Sequence, residues 1–223
     1  MSLSIRLPNF AAARRNFERN GYIVFPSFSV PIVHRASWMS QWCRSTVRPG
    51  DRPSGSRYPP LVWRRFRRPR QRECALTPRA VHDACVTEVD SVRDGSPDGW
   101  NIDAIRSAIN INCLSQAGQQ YPWHTDATPY TGLLFLTSLP ERVGGELLVK
   151  SLTGEVAAVV PSAGAFVLMD GSRCAHAVAP LVRDALRVSV PMVFPKLATV
   201  RPQGLDDYLY STSHRSSSRG SKH

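Results

Sequence analysis

From residue 108 onward the chain breaks into eight short apolar runs separated by turns, at 109–114, 121–126, 131–137, 146–150, 155–160, 165–170, 175–179 and 186–194. Runs of this length suit strands better than helices. Eight strands at this spacing predict a mainly β protein with flanking helices, built on a double-stranded β-helix, the jelly-roll or cupin-like barrel. The 223 residues leave room for one such domain. Residues 108–195 are read as the jelly-roll core, 1–107 as its helical support, 1–205 as a single domain, and 206–223 as a polar tail expected to be disordered.

Upstream, Asn9 can cap a helix whose apolar positions Phe10, Ala13 and Phe17 fall on one stripe, and Gly21 can end it. Residues 22–25 then read as a strand. Pro31 can open a second helix with Ile32, Ala36, Met39 and Cys43 on one face. Thr77 and Pro78 can open a third, with Val81, Ala84 and Cys85 turned inward, followed by a polar loop over 94–99.

Within the β-rich half, His124 and Asp126 stand two residues apart in a strand-like run, so the period of two puts both on one face. His176 can complete a set of three. Two imidazoles and one carboxylate fill three facial positions of an octahedral ion and leave three open, a donor set suited to Fe(II). After ten intervening residues, Arg187 and Ser189 again share a face. The ten-residue spacing fits a strand, a tight turn and a strand returning beside the first. A guanidinium fork and a hydroxyl together suit a carboxylate, so a dicarboxylate is the expected ligand. Alone, a His-x-Asp pair or an Arg-x-Ser pair says little, and the force of the reading lies in their combination. Of the other histidines, His34 and His82 fall in helix-like segments and His214 and His223 in the tail, where surface positions are expected.

The full pattern is His124-x-Asp126, 49 residues, His176, ten residues, Arg187-x-Ser189. It resembles the signature of the iron(II)- and 2-oxoglutarate-dependent dioxygenases. The phrases over 118–123, 144–147, 164–169 and 176–180 are similar to those of the branch that contains the prolyl 4-hydroxylases. The resemblance spans residues 108–195. It implies an oxygenase with His124, Asp126 and His176 as metal ligands and catalytic centre, 2-oxoglutarate and O2 as co-substrates, and Arg187 and Ser189 on the distal carboxylate. Asn112 and Tyr121 are candidate polar neighbours of the co-substrate, and Thr128 and Tyr130 candidate substrate contacts. The chain also departs from the branch. The strand after the His-x-Asp carries no tyrosine, and Asp184-Ala185-Leu186 stands where a glycine often precedes the arginine. Ser189 is the expected substitute for the missing tyrosine.

Composition bears on partners. Five cysteines, odd in number and without a C-x-x-C pair, argue against a disulfide framework and a zinc cluster and suit a cytoplasmic protein. No apolar run approaches the roughly 18 residues of a membrane span, so no membrane partner is expected. The net charge is +11, carried almost wholly by arginine. Ten arginines between 44 and 73, among them Arg64 and Arg65, interleave with prolines, Tyr58, Trp63 and Phe66. That stretch reads as a solvated loop, a lid over an anionic substrate, or a nucleic-acid contact.

Hydroxylation of a small molecule, an amino acid or a biosynthetic intermediate, is the expected activity. A hydroxylase of a protein residue is the closest rival. A nucleobase demethylase is favoured by charge but disfavoured by Val193, where such enzymes carry a second arginine. A jelly-roll protein that binds metal without turnover, or an iron oxidase that uses no 2-oxoglutarate, completes the field.

Overall fold

The computed structural model of the chain describes residues 10–26, 82, 83, 85, 86, 89, 90 and 109–194. It opens with helix α1 (Phe10–Asn20), and strand β1 (Tyr22–Phe25) follows directly. Ala13 and Phe17 form the buried stripe of α1. The helix ends where Gly21 takes φ +77° and donates its N–H to Phe17 O at 2.7 Å, the left-handed cap that favours glycine. A Cβ there would also run into Cys174 Sγ and Leu152.

Each of the eight apolar runs yields a strand: β2 (Asn112–Leu114), β3 (Tyr121–His124), β4 (Tyr130–Phe135), β5 (Leu147–Lys150), β6 (Val156–Val159), β7 (Phe166–Asp170), β8 (His176–Val178) and β9 (Arg187–Val193). They form a five-stranded sheet, β1-β7-β4-β9-β2, and a four-stranded sheet, β3-β8-β5-β6, with every pairing antiparallel. This is the expected jelly roll.

Alternation along the strands sorts the apolar residues into two layers. Leu133 and Phe135 of β4, Leu147 and Val149 of β5, and Val167 and Met169 of β7 meet between the sheets. The opposite face of the larger sheet, with Leu134, Phe166, Leu168, Val188, Val190 and Met192, packs under Ala13 and Phe17 of α1 and under Cys85 and Val89. The latter two lie among residues that are helical at 82, 83, 85, 86, 89 and 90, in keeping with the third helix. A third cluster, Leu114, Leu139, Val143, Val178 and Leu181, plugs the barrel at the Arg187 end of β9.

Several expectations change. His82 is buried rather than superficial: its ring stacks on Phe194 with centroids 4.4 Å apart and its Nε2 lies 3.3 Å from Val193 O. Its helix turns that residue toward the sheet, which a polar label alone does not reveal. The ten residues between His176 and Arg187 make no hairpin, because β8 pairs with β3 and β5 while β9 pairs with β4 and β2. They carry the chain from one sheet to the other. Cys113 is disulfide-bonded, whereas Cys85 and Cys174 are free. An odd count forbids only that all cysteines pair. Lastly, Tyr130 leaves the site, as described below. The helix expected after Pro31, the arginine-rich stretch with Arg64 and Arg65, and the C-terminal tail lie outside the described residues. Among the described residues no helix is long and apolar enough to cross a membrane.

Candidate metal centre

His124 closes β3 and His176 opens β8, and the two are direct partners in the ladder between these strands. Paired residues of neighbouring antiparallel strands present their side chains on the same face. The imidazole centroids accordingly lie 4.2 Å apart. The two imidazoles are thus neighbours within one sheet, and Asp126 joins them from beyond the end of β3. Asp126 lies past the end of β3, so strand alternation does not aim it. Its backbone N–H donates to Gly171 O at 2.8 Å, and its Oδ2 accepts the Thr131 hydroxyl at 2.6 Å. Oδ1 then stands 3.9 Å from His124 Nε2 and Oδ2 3.6 Å from His176 Nε2. One ligand atom from each of the three side chains falls within 4.8 Å of the others.

The hydrogen bonds behind the rings fit this set to a metal ion. His124 Nδ1 lies 2.8 Å from Pro122 O and His176 Nδ1 lies 3.1 Å from Cys174 O. A carbonyl only accepts, so both Nδ1 atoms carry the proton and both Nε2 lone pairs are free to face Asp126. Carbonyl-oriented imidazoles of this kind are the usual support of a ligating histidine. Burial, ahead of every charge effect, lowers the pKa of His176, and the nearby His124 acts in the same direction against the raising influence of Asp126. A neutral imidazole is the form that ligates.

Arg187, the first residue of β9, is 1% exposed inside the barrel. Its Nε–H donates to Gly145 O at 2.8 Å, its Nη1 to Ser189 Oγ at 2.9 Å, and its guanidinium carbon lies 5.3 Å from the centre of the Phe135 ring. Gly144 and Gly145, at φ +80° and +78°, turn the chain so that this carbonyl reaches the guanidinium. Nη2 is buried with no partner among the described residues. A buried cationic donor left open is costly unless an anion arrives. Burial lowers the pKa of the guanidinium to about 10, against the raising influence of Tyr121 and Glu146, and the group stays cationic at neutral pH. Gly145 lies four residues before Val149, the ladder partner of His176, so the arginine's anchor is at most about 14 Å along the chain from the residue paired with that histidine.

The remaining expected residues divide. Ser189 orients Arg187 as described. Asn112 is the ladder partner of Ser189 and so shares its inward face, with a buried Oδ1 that has no partner among the described residues. Tyr121 is packed beside the Leu114 cluster, and burial pushes its phenol up to about 12, with Arg187 opposing, which keeps it a donor. Thr128 is buried two residues past Asp126, and its hydroxyl lacks a partner among the described residues. Tyr130 points the other way. It shares the outer face of β4 with Leu134 and stacks on Phe17 of α1 at 5.9 Å, so it is a core residue rather than a substrate contact. Arg64 and Arg65 lie outside the described residues. Thr131, the Gly145 carbonyl and Gly171 were not legible as site groups. For Thr131 a signal existed, a hydroxyl on the inward face of an otherwise apolar strand.

No protein-family model and no curated relative matches the chain. Solved structures do. A prolyl-4-hydroxylase from Pseudomonas putida superposes with TM-score 0.51 at 16% identity, over 85% of this chain and 95% of that one. A prolyl hydroxylase from Trichoplax adhaerens, bound to a hypoxia-inducible-factor peptide fragment, gives 0.59 at 17% over 84% and 89%. The non-heme α-ketoglutarate-dependent epimerase SnoN from nogalamycin biosynthesis gives 0.57 at 16% over 84% and 82%. The fold is thus the one shared by these two prolyl hydroxylases and the epimerase. The resemblance read from the sequence is borne out in this architecture and in the His124, Asp126, His176 triad it brings together.

Proposed function

We propose that the protein is an Fe(II)- and 2-oxoglutarate-dependent oxygenase that hydroxylates an unactivated C–H bond of a small molecule, an amino acid or a natural-product intermediate. The observation that carries this reading is the open, buried Nη2 of Arg187 in the same barrel as a preformed two-histidine, one-carboxylate set. A site for metal alone has no use for a buried cation. A site for a metal and a diacid needs both.

Bound at the triad together with 2-oxoglutarate, Fe(II) supplies O2 activation, coupling oxidative decarboxylation of the oxo acid to hydroxylation of a substrate C–H bond. The chain's own residues do the rest. Arg187 pairs with the distal carboxylate through Nη2, while Ser189 and the Gly145 carbonyl hold the guanidinium plane. Tyr121, protonated at neutral pH, adds a donor near that carboxylate, and Asn112 offers its amide beside Ser189. Phe135 and the Leu114 cluster exclude water, which strengthens each of these contacts.

Succinate release from 2-oxoglutarate, dependent on Fe(II) and stimulated by one class among free amino acids, biosynthetic intermediates and peptides, tests the proposal. Stimulation by peptides alone would favour the protein-residue reading, which the prolyl hydroxylase neighbours support. Absence of succinate with any of them would refute the oxygenase.

A further inference from the structure

We propose that Thr131 is a positioning residue for the metal centre, with Gly171 as the gap that lets it work: its hydroxyl fixes the Asp126 carboxylate so that the ligand is aimed before metal arrives. This rests on the metal reading given above. Asp126 needs such a device because it stands outside β3. Two groups, one just past β7 and one on β4, supply it. The backbone of Gly171, just past β7, accepts the Asp126 N–H, and its own N–H donates to Pro129 O at 3.2 Å, which clamps the 126–129 loop from both sides. Thr131 is held in the middle of the larger sheet by pairing with Met169 and Val193, is 5% exposed, and donates to Oδ2 at 2.6 Å.

The donor and the gap depend on each other. A Cβ at Gly171 would collide with Thr131 Oγ1 and come within 2.7 Å of Asp126 Oδ2 and 3.0 Å of its Cβ. Carboxylate, hydroxyl and backbone are therefore packed at a spot where only glycine fits. A threonine on the inward face of β4, next in that row to Leu133 and Phe135, contributes nothing to the apolar core that valine would not do better. Its hydroxyl is accounted for by Asp126. By occupying one lone pair of Oδ2, it limits the ways the carboxylate can turn and favours presentation toward the two Nε2 atoms.

The test is an anaerobic Co(II) titration of the metal-free protein, followed by the visible spectrum of the bound ion, in wild type, Thr131→Val, Thr131→Ser and Gly171→Ala. Loss of a hydrogen-bonded support to a ligand costs roughly 10- to 100-fold in metal affinity, so Thr131→Val and Gly171→Ala are expected to raise Kd by that factor with a changed spectrum. Thr131→Ser, which keeps the hydroxyl and loses the methyl, is expected to stay within about threefold of wild type with the native spectrum. If Thr131→Val fails to fold, Thr131→Ala takes its place against Thr131→Ser. Equal Kd and spectrum for wild type and the hydroxyl-free variant overturn the proposal. So does a Ser variant as weak as the hydroxyl-free one, because packing would then be the cause. A wild-type protein that binds no Co(II) sinks the metal reading itself, which is a separate outcome.

Discussion

Replacing Arg187 with leucine separates ligand recognition from folding, because the same guanidinium is a liability in the free protein and an asset in the complex. In the free protein it holds two hydrogen bonds and leaves Nη2 open in a buried place. Deleting it removes an unpaired buried donor, a relief of about 1–3 kcal/mol, and strands the Gly145 carbonyl at a cost of about the same size. The two offset to within about 2 kcal/mol, so the melting temperature should move by no more than about 4–8 °C. In the complex the balance is different. Removing one partner of a buried ion pair costs about 3–5 kcal/mol, which at about 1.4 kcal/mol per decade raises the Kd for 2-oxoglutarate by a factor of about a hundred to several thousand. Arg187→Lys keeps the charge but not the fork and should fall between. Calorimetric titration of Mn(II)-loaded protein with 2-oxoglutarate measures the affinity, and scanning calorimetry measures the fold. A leucine variant that melts normally and binds the diacid within about threefold of wild type would refute the assigned role.

Further outcomes follow from the same geometry. His124→Ala should abolish divalent-metal binding while leaving the unfolding free energy of the metal-free protein, measured in urea, within about 0.5 kcal/mol of wild type, because the side chain is 44% exposed. Gly144→Ala should destabilise the chain by at least about 2 kcal/mol in denaturant titration, since φ is +80° and the new Cβ would strike the Pro180 carbonyl. Phe17→Ala should cost about 3–5 kcal/mol, measured the same way, because the ring is buried between α1 and the outer face of the larger sheet and stacks on Tyr130.

Much of the architecture was legible because a jelly roll is built from strands short enough to show as isolated apolar runs. All eight became strands, and the helix with its glycine cap and the strand behind it fell where Ala13, Phe17 and Gly21 placed them. What was not legible depends on three-dimensional pairing. The residues between His176 and Arg187 could make a hairpin or a crossing between sheets at the same length, and the sequence does not choose. His124 and Asp126 were expected to converge through strand alternation, but β3 ends at His124 and the convergence is made by Gly171 and Thr131, brought from β7 and β4. Tyr130 shows the converse error: closeness in sequence to a ligand says little when the period of two turns the side chain to the other face. His82 was placed outside because a helix face cannot be assigned when its packing partner, Phe194, is far away in sequence.

Diffraction from crystals grown anaerobically with Fe(II) and 2-oxoglutarate, recorded across the iron absorption edge, tests the account most directly. It predicts one anomalous peak in contact with His124 Nε2, His176 Nε2 and the Asp126 carboxylate, and density for a diacid running from that peak to the guanidinium of Arg187. An iron peak elsewhere, or an occupied triad with Arg187 facing no carboxylate, would contradict it.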